Sequence, residues 1–133
     1  MLQDIWILTR DGVVVFNRVF DETIEIQLFG ALMSAINTFV EELSSESLES
    51  FEIQDTRYSI LKKNEILFIA SSSNKFKEKK IHQNLEYIQE KFFELYPDSF
   101  FQNWDHDISC FENFKDEIKD ILENPIENFW KGF

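Results

Sequence analysis

Hydrophobic and polar positions alternate along this chain in two distinct rhythms. Asp4 to Thr9 (DIWILT) and Val13 to Phe16 (VVVF) are short, β-rich apolar runs separated by Arg10, Asp11 and Gly12. Asp-Gly between two such runs is a strong hairpin signal, so the first two strands are predicted as antiparallel neighbours. From Ile24 to Leu43 the period changes to that of a helix, with Thr23 or Asp21 as its cap. Its predicted core stripe is Leu28, Leu32, Ile36, Phe39 and Leu43, with Ala31 and Ala35 beside it. Gly30, Ser34, Asn37, Thr38 and Glu41 fall opposite, toward solvent. A polar Ser44–Ser47 loop follows.

Strand rhythm then returns three times: Glu49–Asp55, Arg57–Lys63 and Glu65–Ala70, with a turn at Lys63-Asn64. Ser71–Asn74 breaks the pattern and offers helix caps. A second helix is predicted from about Lys75 to Tyr96, on a stripe of Ile81, Leu85, Ile88, Phe92 and Leu95, and Pro97 ends it. A third helix starts near Ser109, which forms a capping box with Glu112. It runs on Cys110, Phe111, Phe114, Ile118, Ile121 and Leu122. The order is β-β-α-β-β-β-α-α, with residues 1–123 as one domain and 124–133 as an aromatic tail.

Strands 1, 2 and 5 are apolar throughout, so both their faces should be covered. Strand 3 carries Glu49, Glu52 and Asp55 and suits an edge guarded by charge. One helix in mid-chain and two at the end can cover both faces. The predicted fold is therefore α+β: a three-layer α-β-α sandwich around a five-stranded antiparallel sheet, with strand 1 beside strand 5.

Composition narrows the function. The chain has 133 residues, a net charge of −12 and 44% hydrophobic residues, which supports one folded domain rather than disorder. The negative charge disfavours binding to nucleic acid or anionic lipid. A single cysteine, Cys110, excludes an intrachain disulfide and any CxxC site. No signal peptide and no membrane-spanning run is visible, so a cytoplasmic setting is expected, peripheral to membranes only through partners.

Catalytic chemistry has little to stand on. Asp105, His106 and Asp107 could serve a metal-dependent hydrolase, but a polar loop with helix caps is the expected reading. His82 is expected to be a solvated or satisfied histidine, and Cys110 a small core residue. Ser71–Ser73 lacks the context of a nucleophile elbow, and three scattered glycines make no phosphate loop. No cofactor, metal or catalytic residue is assigned. Lys75, Lys77, Lys79 and Lys80 form the one basic run and are read as a solvated face, with an acidic partner as the alternative.

The residues resemble the longin family. The first strand, the Asp11-Gly12 turn and the VVVFNR that follows look like its first hairpin. Phe29–Phe39 (FGALMSAINTF) resembles its first helix, and Arg57–Ala70 its fourth and fifth strands. Helix 2, ending in FFELYP, fits as well. The resemblance spans about residues 3 to 122. The related roadblock fold begins with a helix, whereas this chain begins with a strand. The resemblance implies a non-catalytic module that binds small Ras-like GTPases, or other longin or roadblock domains, in vesicle trafficking or GTPase regulation. A self-associating homodimer without a GTPase is the alternative.

For the partner face, the broad apolar arc of helix 1 has an outer edge at Phe29, Met33 and Val40, with Asn37 adjoining. Longin and roadblock domains pair through this helix, which favours that edge as a protein-binding surface. Phe129, Trp130 and Phe133 in the tail are the second candidate, since exposed aromatics anchor interfaces.

Overall fold

A computed structural model describes residues 2–19, 24–44 and 48–119. Five strands form one antiparallel sheet: β1 (Asp4–Thr9), β2 (Val14–Arg18), β3 (Ser50–Ile53), β4 (Thr56–Lys63) and β5 (Ile66–Ser73). Their spatial order is β2-β1-β5-β4-β3. The apolar strands β1 and β5 lie side by side at the centre, paired from Asp4↔Ser71 to Thr9↔Ile66. The charged β3 is at an edge, as its composition requires.

The helices are α1 (Ile26–Ser44), α2 (Glu78–Leu95), α3 (Asp98–Gln102) and α4 (Lys115–Ile118), with a 3₁₀ segment at Ile108–Phe114. Side chains alternate across the central strands and define two cores. Ile5, Ile7, Phe68 and Ala70 pack with Ile81, Leu85, Ile88 and Phe92 of α2, and with Phe111, Phe114 and Ile118. Trp6, Leu8, Leu67 and Ile69 pack with Phe29 and Met33 of α1. The result is the expected three-layer sandwich.

Local chemistry explains the turns. Arg10, Asp11 and Gly12 close the β1–β2 hairpin, and Gly12 takes φ +89. That is the left-handed residue that a three-residue hairpin loop requires. Asn64 and Glu65 join β4 to β5 with φ 53 and 67, the two positive values of a tight I′ connection.

Several boundaries differ from the sequence expectation. The predicted caps Thr23 and Asp21 lie outside the described residues. Glu25 caps α1 instead, its carboxylate accepting from the amides of Gln27 (3.1 Å) and Leu28 (2.9 Å). Ser71–Ser73 do not cap a helix; they complete β5. Ser71 Oγ accepts from the Asp4 amide and donates to its carboxylate, both at 3.1 Å. The third helix breaks into the 3₁₀ segment and α4. Its cap is Asp107, which accepts from the Ser109 amide at 2.9 Å, rather than the Ser109–Glu112 pair. Cys110 is exposed, not core, because a 3₁₀ turn places it on a different face from the one helical spacing predicts.

Candidate functional site

The first helix presents the structure's main surface feature. Its orientation differs from that predicted from its apolar stripe. Leu28, Leu32, Phe39 and Leu43 are exposed by 61%, 49%, 64% and 72%. Ala31 and Ala35 are exposed with them. Phe29 and Met33, two residues of the expected outer edge, and the adjoining Asn37 are instead 8%, 2% and 4% exposed. The helix is rotated roughly 100° from expectation, about one residue's turn.

The cause lies in a line of small and polar residues: Gln27, Gly30, Ser34, Asn37 and Glu41. This line, in which Gly30, Ser34, Asn37 and Glu41 are expected to face water, lies toward the hairpin and the sheet. The Gln27 side chain accepts from the Val14 amide (2.9 Å) and donates to the Val14 carbonyl (3.0 Å). Ser34 Oγ donates to the Arg10 carbonyl. Asn37 Nδ2 donates to Glu41 (3.1 Å), which pairs with Lys62 of β4 at 3.0 Å. Gly30 lets the helix touch the hairpin. A Cβ there would sit 2.5 Å from Val14 Cγ2 and 2.6 Å from the Gly12 carbonyl oxygen. Gln27 and Ser34 pair backbone groups of the hairpin, Glu41 ties the helix to β4, and Gly30 permits the close approach, which together favour this face over the apolar stripe. The isolated glycine inside a helical pattern was the sequence signal for this close approach.

Phe29 and Met33 therefore support the helix from beneath. The Phe29 ring stacks on Trp6. Val40 is half-buried at the border of the exposed stripe. Phe129, Trp130 and Phe133 lie outside the described residues. The exposed stripe runs Leu28, Leu32, Ala35, Phe39 and Leu43, steps of four and three that align on one side of a helix. A contiguous exposed apolar stripe is uncommon on a protein surface that stays in water.

The other candidates take structural roles. Asp105 Oδ1 accepts from the Asp107 amide at 3.0 Å, and Asp107 caps the 3₁₀ segment. That capping bond holds the Asp107 carboxyl below its usual range. Among the described residues, no group of His, Cys, Asp and Glu is placed to hold a metal ion. Cys110 Sγ donates to the Asp107 carbonyl at 3.1 Å, and partial burial pushes the thiol's pKa up. That is the wrong direction for a nucleophile. His82 Nε2 lies 3.6 Å from Glu78. Lys75, Lys77, Lys79 and Lys80 are all exposed before and within the first turn of α2. No described helix is long and apolar enough to cross a membrane.

Comparison with known proteins agrees with this architecture. Two solved structures share it: a roadblock/LC7 domain from Streptomyces avermitilis and MglB from Myxococcus xanthus. The first is 10% identical, with a TM-score of 0.54 over 69% of this chain and 86% of that one. The second is 10% identical, with a TM-score of 0.56 over 70% of this chain and 84% of that one. At such identity the likeness is one of fold. No curated protein is similar enough to count as a match. Residues 3–96 match the family described as the first longin domain of FUZ, MON1 and HPS1. The chain belongs to this longin family and has the build of a longin-like interaction module.

Proposed function

We propose that this chain is a non-catalytic module that pairs, through the outer face of α1, with another longin or roadblock domain. The pair would serve a small Ras-like GTPase in a vesicle-trafficking or GTPase-regulating assembly. One observation carries the reading: four large apolar side chains, Leu28, Leu32, Phe39 and Leu43, stand exposed on one stripe of a helix whose other side packs on the hairpin and sheet. Exposing them costs free energy that a partner helix or sheet face would recover. Steps of four and three along the stripe suit a partner helix. Val40 borders the proposed surface. The tail residues Phe129, Trp130 and Phe133 join it as a second anchoring segment, tested by deleting residues 124–133.

Family membership supports the partner class, because the longin resemblance implies binding to longin or roadblock domains and to Ras-like GTPases. Pairing of this kind needs no metal or cofactor. The net charge of −12 favours a partner with a basic patch and an association that weakens with salt. The proposed setting is cytoplasmic, with membranes reached only through partners.

The test is a pull-down with the full chain, in GDP and in a non-hydrolysable GTP analogue, beside a Leu32→Glu/Phe39→Glu variant. Capture of a longin or roadblock chain together with a Ras-like GTPase, lost in the variant, supports the proposal. A pull-down that returns only the chain itself, with a solution mass of two copies, replaces it with the homodimer. Capture unaffected by the variant removes α1 as the surface.

A further inference from the structure

At one end of the sheet, on the α2 side, the β1–β2 turn, the β4–β5 turn and the α3 region enclose a groove of about 420 Å³. None of its lining residues belongs to α1, although the β1–β2 turn that forms one wall also carries that helix through the Ser34 bond to the Arg10 carbonyl, and the proposed pairing does not use the groove. Its volume falls in the range of ligand pockets, roughly 300–1,000 Å³. Val13, Ile66, Phe101 and Trp104 give it an apolar floor, and Val13 is 43% exposed. Trp104 is held in place: its Nε1 donates to the Asp107 carbonyl at 3.0 Å, and its ring meets Phe101 and Phe111 edge-on at 5.9 and 5.5 Å. A ring fixed in this way is a preformed contact surface.

The rim is acidic. Asp11 and Asp98 line it, and neither has a cationic partner among the described residues. Arg10, the guanidinium at the rim, is already bridged to Glu65 at 3.0 Å. His106 lies against Trp104, ring centroids 5.0 Å apart. Two unpaired carboxylates therefore stand over an aromatic floor. An apolar group alone would fill the floor and leave them unused. An anionic group would be repelled by them. A cation beside an apolar group satisfies both, since ammonium and guanidinium groups are attracted to carboxylates and to the faces of Trp and Phe.

We infer that this groove binds an extended protein segment in which an arginine or lysine adjoins an aromatic or aliphatic residue. The apolar side chain lies against Phe101 and Trp104, and the cation is held between Asp11 and Asp98. The residues that line this site are not those of the α1 stripe.

Amide chemical shifts of the full-length chain test this with three probes: acetyl-Phe-Arg-amide, acetyl-Phe-Glu-amide and acetyl-Phe-Ala-amide. Each is titrated to ~10 mM, within reach of weak fragment affinities. The expected result is saturable shifts with the Arg probe at residues 9–13, 64–66 and 98–106, including the Trp104 indole. The Glu probe should bind at least about fivefold more weakly, as exposed charge pairs allow. Asp11→Asn/Asp98→Asn, two surface changes that leave the floor intact, should bring the Arg probe down to the Ala probe. Equal binding of the Arg and Glu probes overturns the inference. So does an Arg response unchanged by the double variant, shifts centred on α1, or no response to any probe.

Discussion

Trp6 of β1 and Phe29 of α1 stack with ring centroids 4.2 Å apart and planes 25° from parallel. Tyr58 of β4 lies within 6.3 Å of both rings. This aromatic contact fastens the helix to the sheet and holds the opposite side of α1 outward. Phe29→Ala removes the stack and leaves a cavity. Chemical denaturation should show a loss of about 3–5 kcal/mol. A loss below about 1 kcal/mol would mean that α1 is not seated as described.

Gly30 gives a second prediction with an unusual sign. In an exposed helix, Gly→Ala stabilises by about 1 kcal/mol. Here the new methyl would meet Val14 Cγ2 at 2.5 Å and the Gly12 carbonyl at 2.6 Å. Gly30→Ala should therefore destabilise, by about 1–3 kcal/mol as in other overpacked sites. Adding Val14→Ala should restore only part of this, because the carbonyl contact remains. A stabilised Gly30→Ala would contradict the close approach.

The outer face should separate stability from association. Leu32 and Phe39 are exposed at 49% and 64%, so Leu32→Glu/Phe39→Glu should change the monomer's stability by no more than about 0.5 kcal/mol per site. Solution mass or partner capture should change strongly. A large loss of stability with unchanged association would show the stripe to be part of the core.

Glu78 supplies the pH prediction. The Ser50 hydroxyl donates to its carboxylate at 2.8 Å and holds its pKa below the ordinary value. A lowered folded pKa adds stability above the unfolded value, and that stability is lost as pH falls through the folded one. The melting-temperature difference between the natural chain and Glu78→Gln should be full at neutral pH and fade below about pH 4. A difference that stays constant into acid would rule out the charged bond as its source.

Much of the fold was legible in the sequence, and for a clear reason. Strands β1 and β5 are apolar on every residue from Ile5 to Leu8 and from Ile66 to Ala70, so only a central, doubly covered position suits them. The charged β3 had to be an edge. The face of α1 was not legible from its apolar stripe. That helix has large apolar residues over an arc of about 160°, so hydrophobicity alone does not choose which part of the arc is buried. Gln27, Gly30 and Ser34 choose it, through Val14, the Gly12 turn and the Arg10 carbonyl. Those partners lie up to 24 residues away in sequence, beyond any helical periodicity. The region after Pro97 misled for a local reason. Phe111 and Phe114 are three apart, which suits a 3₁₀ turn as well as an α-helix. The groove at Trp104 was missed because its residues come from three separate segments.

The pairing of Asp4–Thr9 with Ile66–Ser73 also bears on how the chain is made. Among the described strands β1 comes first in chain order, and β5, its second neighbour in the sheet, comes last. Until then the β1–β2 hairpin can dock α1 over Trp6 and Leu8, but it holds Ile5 and Ile7 without the α2 layer or the adjoining strand. Its contacts cannot form locally, so closure of the sheet waits on about 70 residues of synthesis. A nascent chain stalled before β5 would display a sticky, half-paired ribbon, a natural client for chaperones. One extended past Ser73 would gain the sheet's central pairing in a single step.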